Sequence, residues 1–216
     1  MRKLYCLLIL GVLALLTCAA AIATANNNDD VVSLRISPQA FMEVVGQNNV
    51  FPTTNPQHAV QAGYLSHLSG LDNSSIFSGS PTNETTAELT FVNDVLRTQA
   101  NAIGPVGIVQ RDGTFTLYLS SGPASFADLS TFASGTPILT GTSHQQVIFN
   151  GNPGTFSAYT DVTVTSSRVF SLGGTTYQLG TVGDSFRVLY FGDVTGIAVP
   201  SALFGGYGVG TGKVKD

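Results

Sequence analysis

Short stretches in which apolar and polar residues alternate recur along this chain, and turn-forming residues separate them. The clearest stretch covers residues 155–164 and alternates strictly. Such alternation is typical of a β-strand that buries one face and exposes the other. We count about ten short strands of this kind and little helix. The chain is therefore predicted to form an all-β fold, a single antiparallel β-barrel or β-sandwich. Periodicity alone favours neither over the other.

Two glycine turns predict β-hairpins within this pattern. Asp112-Gly113 stands between two alternating stretches, and Gly173-Gly174 stands between two more. Residues 93–102 fit either a short helix or a continued strand, and one helical turn is expected near residues 126–132. Candidate strands cover residues 31–36, 41–45, 87–92, 106–110, 114–119, 138–140, 144–149, 156–164, 169–172, 176–179, 186–191 and 194–199.

The pattern divides the chain into four parts. Residues 1–25 are a candidate signal peptide and residues 26–30 a polar, disordered leader. Residues 31–200 form the β domain, and residues 201–216 form a glycine-rich tail. Within the domain, residues 46–86 are rich in proline, asparagine and serine, so we expect a loop-rich excursion with one or two short strands.

The N-terminus predicts export. Arg2 and Lys3 precede an uncharged apolar stretch, and small residues follow that end in Ala23-Thr24-Ala25. This order is that of a cleaved signal peptide, so the protein is expected to be secreted or periplasmic. A retained anchor and a lipid on Cys18 are less favoured alternatives.

The composition excludes some partners. Loss of Arg2 and Lys3 with the signal peptide would take the formal net charge from −4 to −6. The remaining basic residues are scattered, so no nucleic acid is expected as a partner. No second long apolar stretch predicts a transmembrane segment after signal removal. Both cysteines lie in the signal, which leaves the mature chain without a disulfide.

Sequence motifs for catalysis and metal binding are weak. Ser185 follows Gly183-Asp184, but Phe186-Arg187 replaces the two glycines that would follow a chymotrypsin-like serine. A turn into the next strand explains this triplet better. His58, His67 and His144 lack the short spacings of zinc ligands, so no metal and no cofactor is expected.

Four residues are candidates for a pocket if the strands close into a barrel. His144, Tyr159, Asp161 and Arg187 lie on strands of the second half, as do Gln146, Arg168 and Tyr190. Pointing inward, these side chains would build a polar lumen, and a buried arginine there would mark a functional site. An outer polar face is the favoured alternative.

The leading functional prediction is a secreted, non-catalytic β domain with a binding, surface or matrix role. One alternative is a small-ligand carrier or barrel enzyme with a polar lumen, and another is a glycan-binding adhesin. The size and strand count are similar to those of small β-barrels of the lyase and cyclase type and of calycin-like binders, a likeness of fold alone. Possible partners are therefore a small ligand, a glycan or a surface, and the oligomeric state is open.

Overall fold

The computed structural model describes residues 30–151 and 153–213. The predicted signal peptide and most of the predicted leader lie outside these residues. Eleven strands and two short 3₁₀ helices, Asn73–Ser75 and Leu129–Ala133, make up the described chain. The strands are β1 (Val32–Leu34), β2 (Ala40–Phe51), β3 (His58–Leu68), β4 (Leu89–Ile103), β5 (Val106–Leu119), β6 (Thr136–Gly151), β7 (Gly154–Ser167), β8 (Val169–Leu172), β9 (Thr175–Leu179), β10 (Asp184–Val194) and β11 (Ala202–Lys213).

Eight of these strands close into an antiparallel barrel. Its order is β10-β11-β2-β3-β4-β5-β6-β7, and β7 pairs with β10 to complete the ring. Chain neighbours are therefore also sheet neighbours, with the β8–β9 hairpin inserted between β7 and β10. The prediction of an all-β antiparallel fold is confirmed. Of the two predicted alternatives, barrel and sandwich, the protein forms the barrel.

A small second sheet covers one end of the barrel. In it β1 runs parallel to β9, and β9 pairs antiparallel with β8. Apolar residues of this sheet, among them Leu34, Phe170 and Leu179, belong to the same buried cluster as the barrel interior. We call this the closed end; the opposite end, where β2, β6 and β10 finish, is the open end.

Aromatic side chains fill the lumen toward the closed end. The rings of Phe91 and Phe115 stack at 5.7 Å, and Phe186 meets Phe115 edge-on at 5.7 Å and Phe41 at 5.6 Å. These residues come from four strands, so each contact joins different walls of the barrel. The packing therefore fixes the shape of this half of the lumen.

The segment between β5 and β6 covers the outside of the barrel wall. Thr90 donates a hydrogen bond to the Phe132 carbonyl at 2.7 Å, and Phe126 packs against Phe132 and Tyr64. A 3₁₀ helix at residues 129–133 lies where the sequence predicted a helical turn. Since this segment covers β3 and β4, both faces of those strands are buried here.

The predicted hairpin at Asp112-Gly113 is wrong. Both residues lie inside β5, which runs unbroken from Val106 to Leu119. Gly113 is there because the backbone of β4 comes too close for a side chain: a Cβ atom at this position would meet the Asp94 carbonyl oxygen at 1.9 Å. The glycine therefore serves close packing within the wall rather than a turn.

Three further segments, residues 46–86, 195–201 and 202–213, differ from the sequence prediction. Residues 46–86 contain the second half of β2 and all of β3, and residues 202–213 of the expected tail form β11. Both segments are tied into the barrel on two sides by backbone ladders, which do not depend on side-chain composition. The strand predicted at residues 194–199 is wrong, because 195–201 form a loop; residues 93–102 continue β4 as a strand, which was one of the two expected alternatives. The hairpin at Gly173-Gly174 is confirmed.

Replacement of Phe115 by alanine should lower the free energy of unfolding by about 3–5 kcal/mol, because the side chain is 1% exposed at the centre of the aromatic cluster. Urea unfolding followed by circular dichroism measures the change. Phe191→Ala is the matched control, since that ring is 50% exposed on the outer face, and its cost should stay below about 1 kcal/mol. Equal costs for the two variants would contradict the assignment of faces.

Candidate functional site

The lumen opens into a cavity of about 370 Å³ at the open end of the barrel. Its walls come from the ends of the strands and from the 195–201 loop, whose backbone is bonded to β2 by Val50 N–H to Ala198 O and Ser201 N–H to Asn48 O. The lining residues are Asn48, Val50, Gln57, Gln61, Val109, Arg111, Val147, Phe149, Phe156, Val194, Gly196, Ile197, Ala198, Ser201 and Ala202.

Strand periodicity places apolar groups around the mouth and polar groups below them. Along β5, Val109 lines the cavity above Arg111; along β6, Val147 and Phe149 lie above Gln145. Inward positions recur every second residue, so the walls formed by β5 and β6 change from apolar to polar with depth. The cavity therefore has apolar sides and a polar floor.

The floor is a hydrogen-bonded set of buried side chains that we call the polar layer. It consists of Gln61, Asn93, Arg111, Ser143, Gln145 and Thr160, which come from five adjacent strands. Gln145 is its hub: its amide nitrogen donates to Gln61 at 2.7 Å and to Thr160 at 2.9 Å, and its oxygen accepts from Arg111. Asn93 also donates to Gln61, at 3.0 Å. Below this layer the lumen is aromatic.

Arg111 is the charged member of the polar layer. It is 6% exposed, and its one side-chain hydrogen bond within the described residues runs from Nη1 to Gln145 Oε1 at 3.2 Å. Its Nε has no partner there. Burial, and secondarily the charge of Arg97 across the strand pair, lowers the pKa of Arg111 to about 10. No carboxylate is found among the cavity-lining residues that the structure describes.

Two neutral groups at the same depth also lack partners. Asn48 Oδ1 and the Tyr190 hydroxyl are buried without a hydrogen bond to any described residue. The Tyr190 hydroxyl lies beside Thr160, but the two do not form a bond of good geometry, and its burial raises the pKa of the phenol. Buried polar atoms are normally paired, so three unpaired atoms at one level of the lumen require an explanation.

Three of the four pocket candidates from the sequence meet on the outer surface instead. Arg187 Nε and Nη2 donate to the two Asp161 carboxylate oxygens at 2.7 Å each, and the guanidinium lies 4.3 Å from the Tyr159 ring centre. All three occupy outward positions between buried neighbours on β7 and β10. None of them lines the cavity.

His144, the fourth candidate, also lies outside the lumen. Its Nδ1 is 2.6 Å from Asp112 Oδ1, and both side chains are about half exposed. His58 and His67 have separate partners, Asp94 and Asn73. Within residues 30–151 and 153–213, no three potential metal ligands are grouped together.

Ser185 has no imidazole partner in the described part of the chain. It donates to the Gly212 carbonyl oxygen at 3.1 Å and accepts from Thr211 at 2.9 Å, near the closed end. The position fits the prediction of a turn leading into a strand.

Of the residues singled out in the sequence, Tyr190 alone lies at the level of the polar layer. Gln61, Asn93, Ser143, Gln145 and Thr160 were not singled out, and Arg111 was assigned to a turn. The sequence could have indicated Arg111, because it is separated from the inward-facing Phe115 and Leu117 by an even number of residues along the same strand and so lies on the same face. The wrongly predicted hairpin at Gly113 hid that relation.

No family model, curated protein or solved structure matches this chain. Its function therefore rests on the chemistry of the site. Among the described residues no helix is long and apolar enough to cross a membrane.

Arg111→Met should leave the ligand-free protein as stable or make it more stable, by up to about 3 kcal/mol. The substitution loses one hydrogen bond but removes an unpaired buried charge, whose lowered pKa corresponds to a penalty of roughly that size. Because the unfolded chain holds this proton more tightly, the penalty applies fully below a pH of about 10 and is relieved above it. Urea unfolding at pH 7 measures the difference.

Arg187→Met serves as the matched control on the outer face. It removes a half-exposed ion pair and should cost at most about 1 kcal/mol. If Arg111→Met instead lowered stability by more than about 2 kcal/mol, Arg111 would be a structural residue that stabilises the polar layer.

Proposed function

We propose that this protein binds a small, largely apolar molecule in the open end of its barrel, acting after export from the cell. The observation that carries the proposal is a cavity with apolar sides whose floor contains Arg111, a buried guanidinium that the described residues pair only in part. Leaving such groups unpaired costs free energy, and a bound molecule with a polar group would recover it.

The size and composition of the cavity support this proposal. A volume of about 370 Å³ lies within the range of small-molecule pockets, which are mostly apolar with a few convergent polar groups. Here Val109, Val147, Phe149 and Phe156 supply the apolar part and Arg111 the polar part.

The chemistry of the lining favours binding over catalysis. Its described residues offer a guanidinium, amides and a hydroxyl, none of which exchanges a proton readily near neutral pH. General acid–base catalysis needs groups whose pKa lies near the working pH. A carrier or receptor role follows, in keeping with the export signal predicted for residues 1–25.

Binding can be tested with the small, neutral fluorescent probe 1-naphthylamine. The wild-type protein should bind it saturably with a rise in fluorescence, and Val147→Trp should weaken binding at least about tenfold, because that side chain lines the cavity and the indole would fill it. Fluorescence titration gives both affinities.

The adjacent residue provides the control. Ile148 points to the opposite face and is 39% exposed, so Ile148→Trp should bind the probe as the wild type does. Equal affinities in all three proteins would place the probe outside the lumen. If the wild type failed to bind the probe saturably, the proposal would be refuted.

A further inference from the structure

The polar floor also indicates which head group the ligand carries, an inference that rests on the proposed function. A guanidinium binds a carboxylate best through two parallel N–H groups on one edge. In Arg111 the Nη1 donor is held by Gln145, and the described residues give no partner to Nε. Nε itself has almost no accessible surface, so Nη2 is the nitrogen of this guanidinium that is left for a ligand.

The outer surface of the protein shows how another arginine of this chain pairs with a carboxylate. On the outer surface Arg187 uses Nε and Nη2 to hold both oxygens of Asp161 at 2.7 Å. Arg111 has no carboxylate partner among the described residues, and it is far more deeply buried than Arg187. A buried charge without a counter-ion is costly, whereas a paired one can be tolerated.

The charges near Arg111 do not supply the missing counter-ion. Arg97, on the neighbouring strand, is the register partner of Arg111, so the second charge close to the site has the same sign. The cavity lining contains no acidic side chain among the described residues. The lumen is therefore positive in a chain whose formal net charge is −4, which is the field expected of an anion site.

We propose that the ligand is an amphipathic monocarboxylate that enters head first, with its carboxylate on Arg111 and its apolar body against Val109, Val147 and Phe149. The unpaired donor lies at the floor and the apolar side chains lie above it, which sets this direction. At about 30 Å³ for each non-hydrogen atom, the cavity holds roughly a dozen such atoms. A ten-carbon acid is of this size.

The test compares decanoate with 1-decanol as competitors of 1-naphthylamine at pH 8, where the acid is ionised. The two differ in the head group and share the chain. Wild-type protein should prefer decanoate by at least about tenfold, as expected for hydrogen bonds to a charged group in a buried site. Arg111→Met should bring the ratio close to one, with each competitor measured against that variant's own affinity for the probe.

Controls separate this inference from the proposed function. Arg187→Met should keep the preference for decanoate, since that arginine lies outside the lumen. If decanoate and 1-decanol competed equally in the wild type while the probe bound in the lumen, the proposal of a carboxylate head group would be wrong. The proposal of a ligand site would still hold. A preference that survives Arg111→Met would also overturn it. Failure of the probe to bind the wild type would refute the ligand site itself.

Discussion

Closure of the sheet between β7 and β10 is the constraint on which the other features depend. Ten consecutive residue pairs join these strands, although the β8–β9 hairpin interrupts the chain between them. Closure leaves no free edge in the eight-stranded ring and gives every strand an inner and an outer face. The inserted hairpin joins β1 in the small sheet at one end. A barrel blocked there and accessible at the other end is the result.

The inner face divides into two halves with different roles. Toward the closed end, rings such as Phe91, Phe115 and Phe186 pack tightly and supply stability. Toward the open end, the polar layer forms a floor on which Arg111 stays partly unpaired. Its neighbours orient it through Gln145 but do not neutralise it. The stability of the first half allows the second to hold a charge that would otherwise favour unfolding, an arrangement common at binding sites.

Local patterns predicted the fold class well but misplaced the site. The alternation at residues 155–164 corresponds to a real strand, and Gly173-Gly174 to a real hairpin. Where glycine serves close packing between strands, as Gly113 does, the same residue type imitates a turn. The facing of polar residues depends on register and closure, which join segments far apart in the chain. For that reason Asp161 and Arg187 were candidates for the lumen, although the polar layer is built mainly from residues that carry no motif.

A crystal structure of the exported protein soaked with decanoate is the sharpest test of a carboxylate site inside the barrel. We expect density for one molecule in the lumen, with its carboxylate within about 3 Å of the Arg111 guanidinium and its chain directed toward the open end. A lumen occupied by water or collapsed side chains, with decanoate absent or on the outer surface, would contradict this assignment.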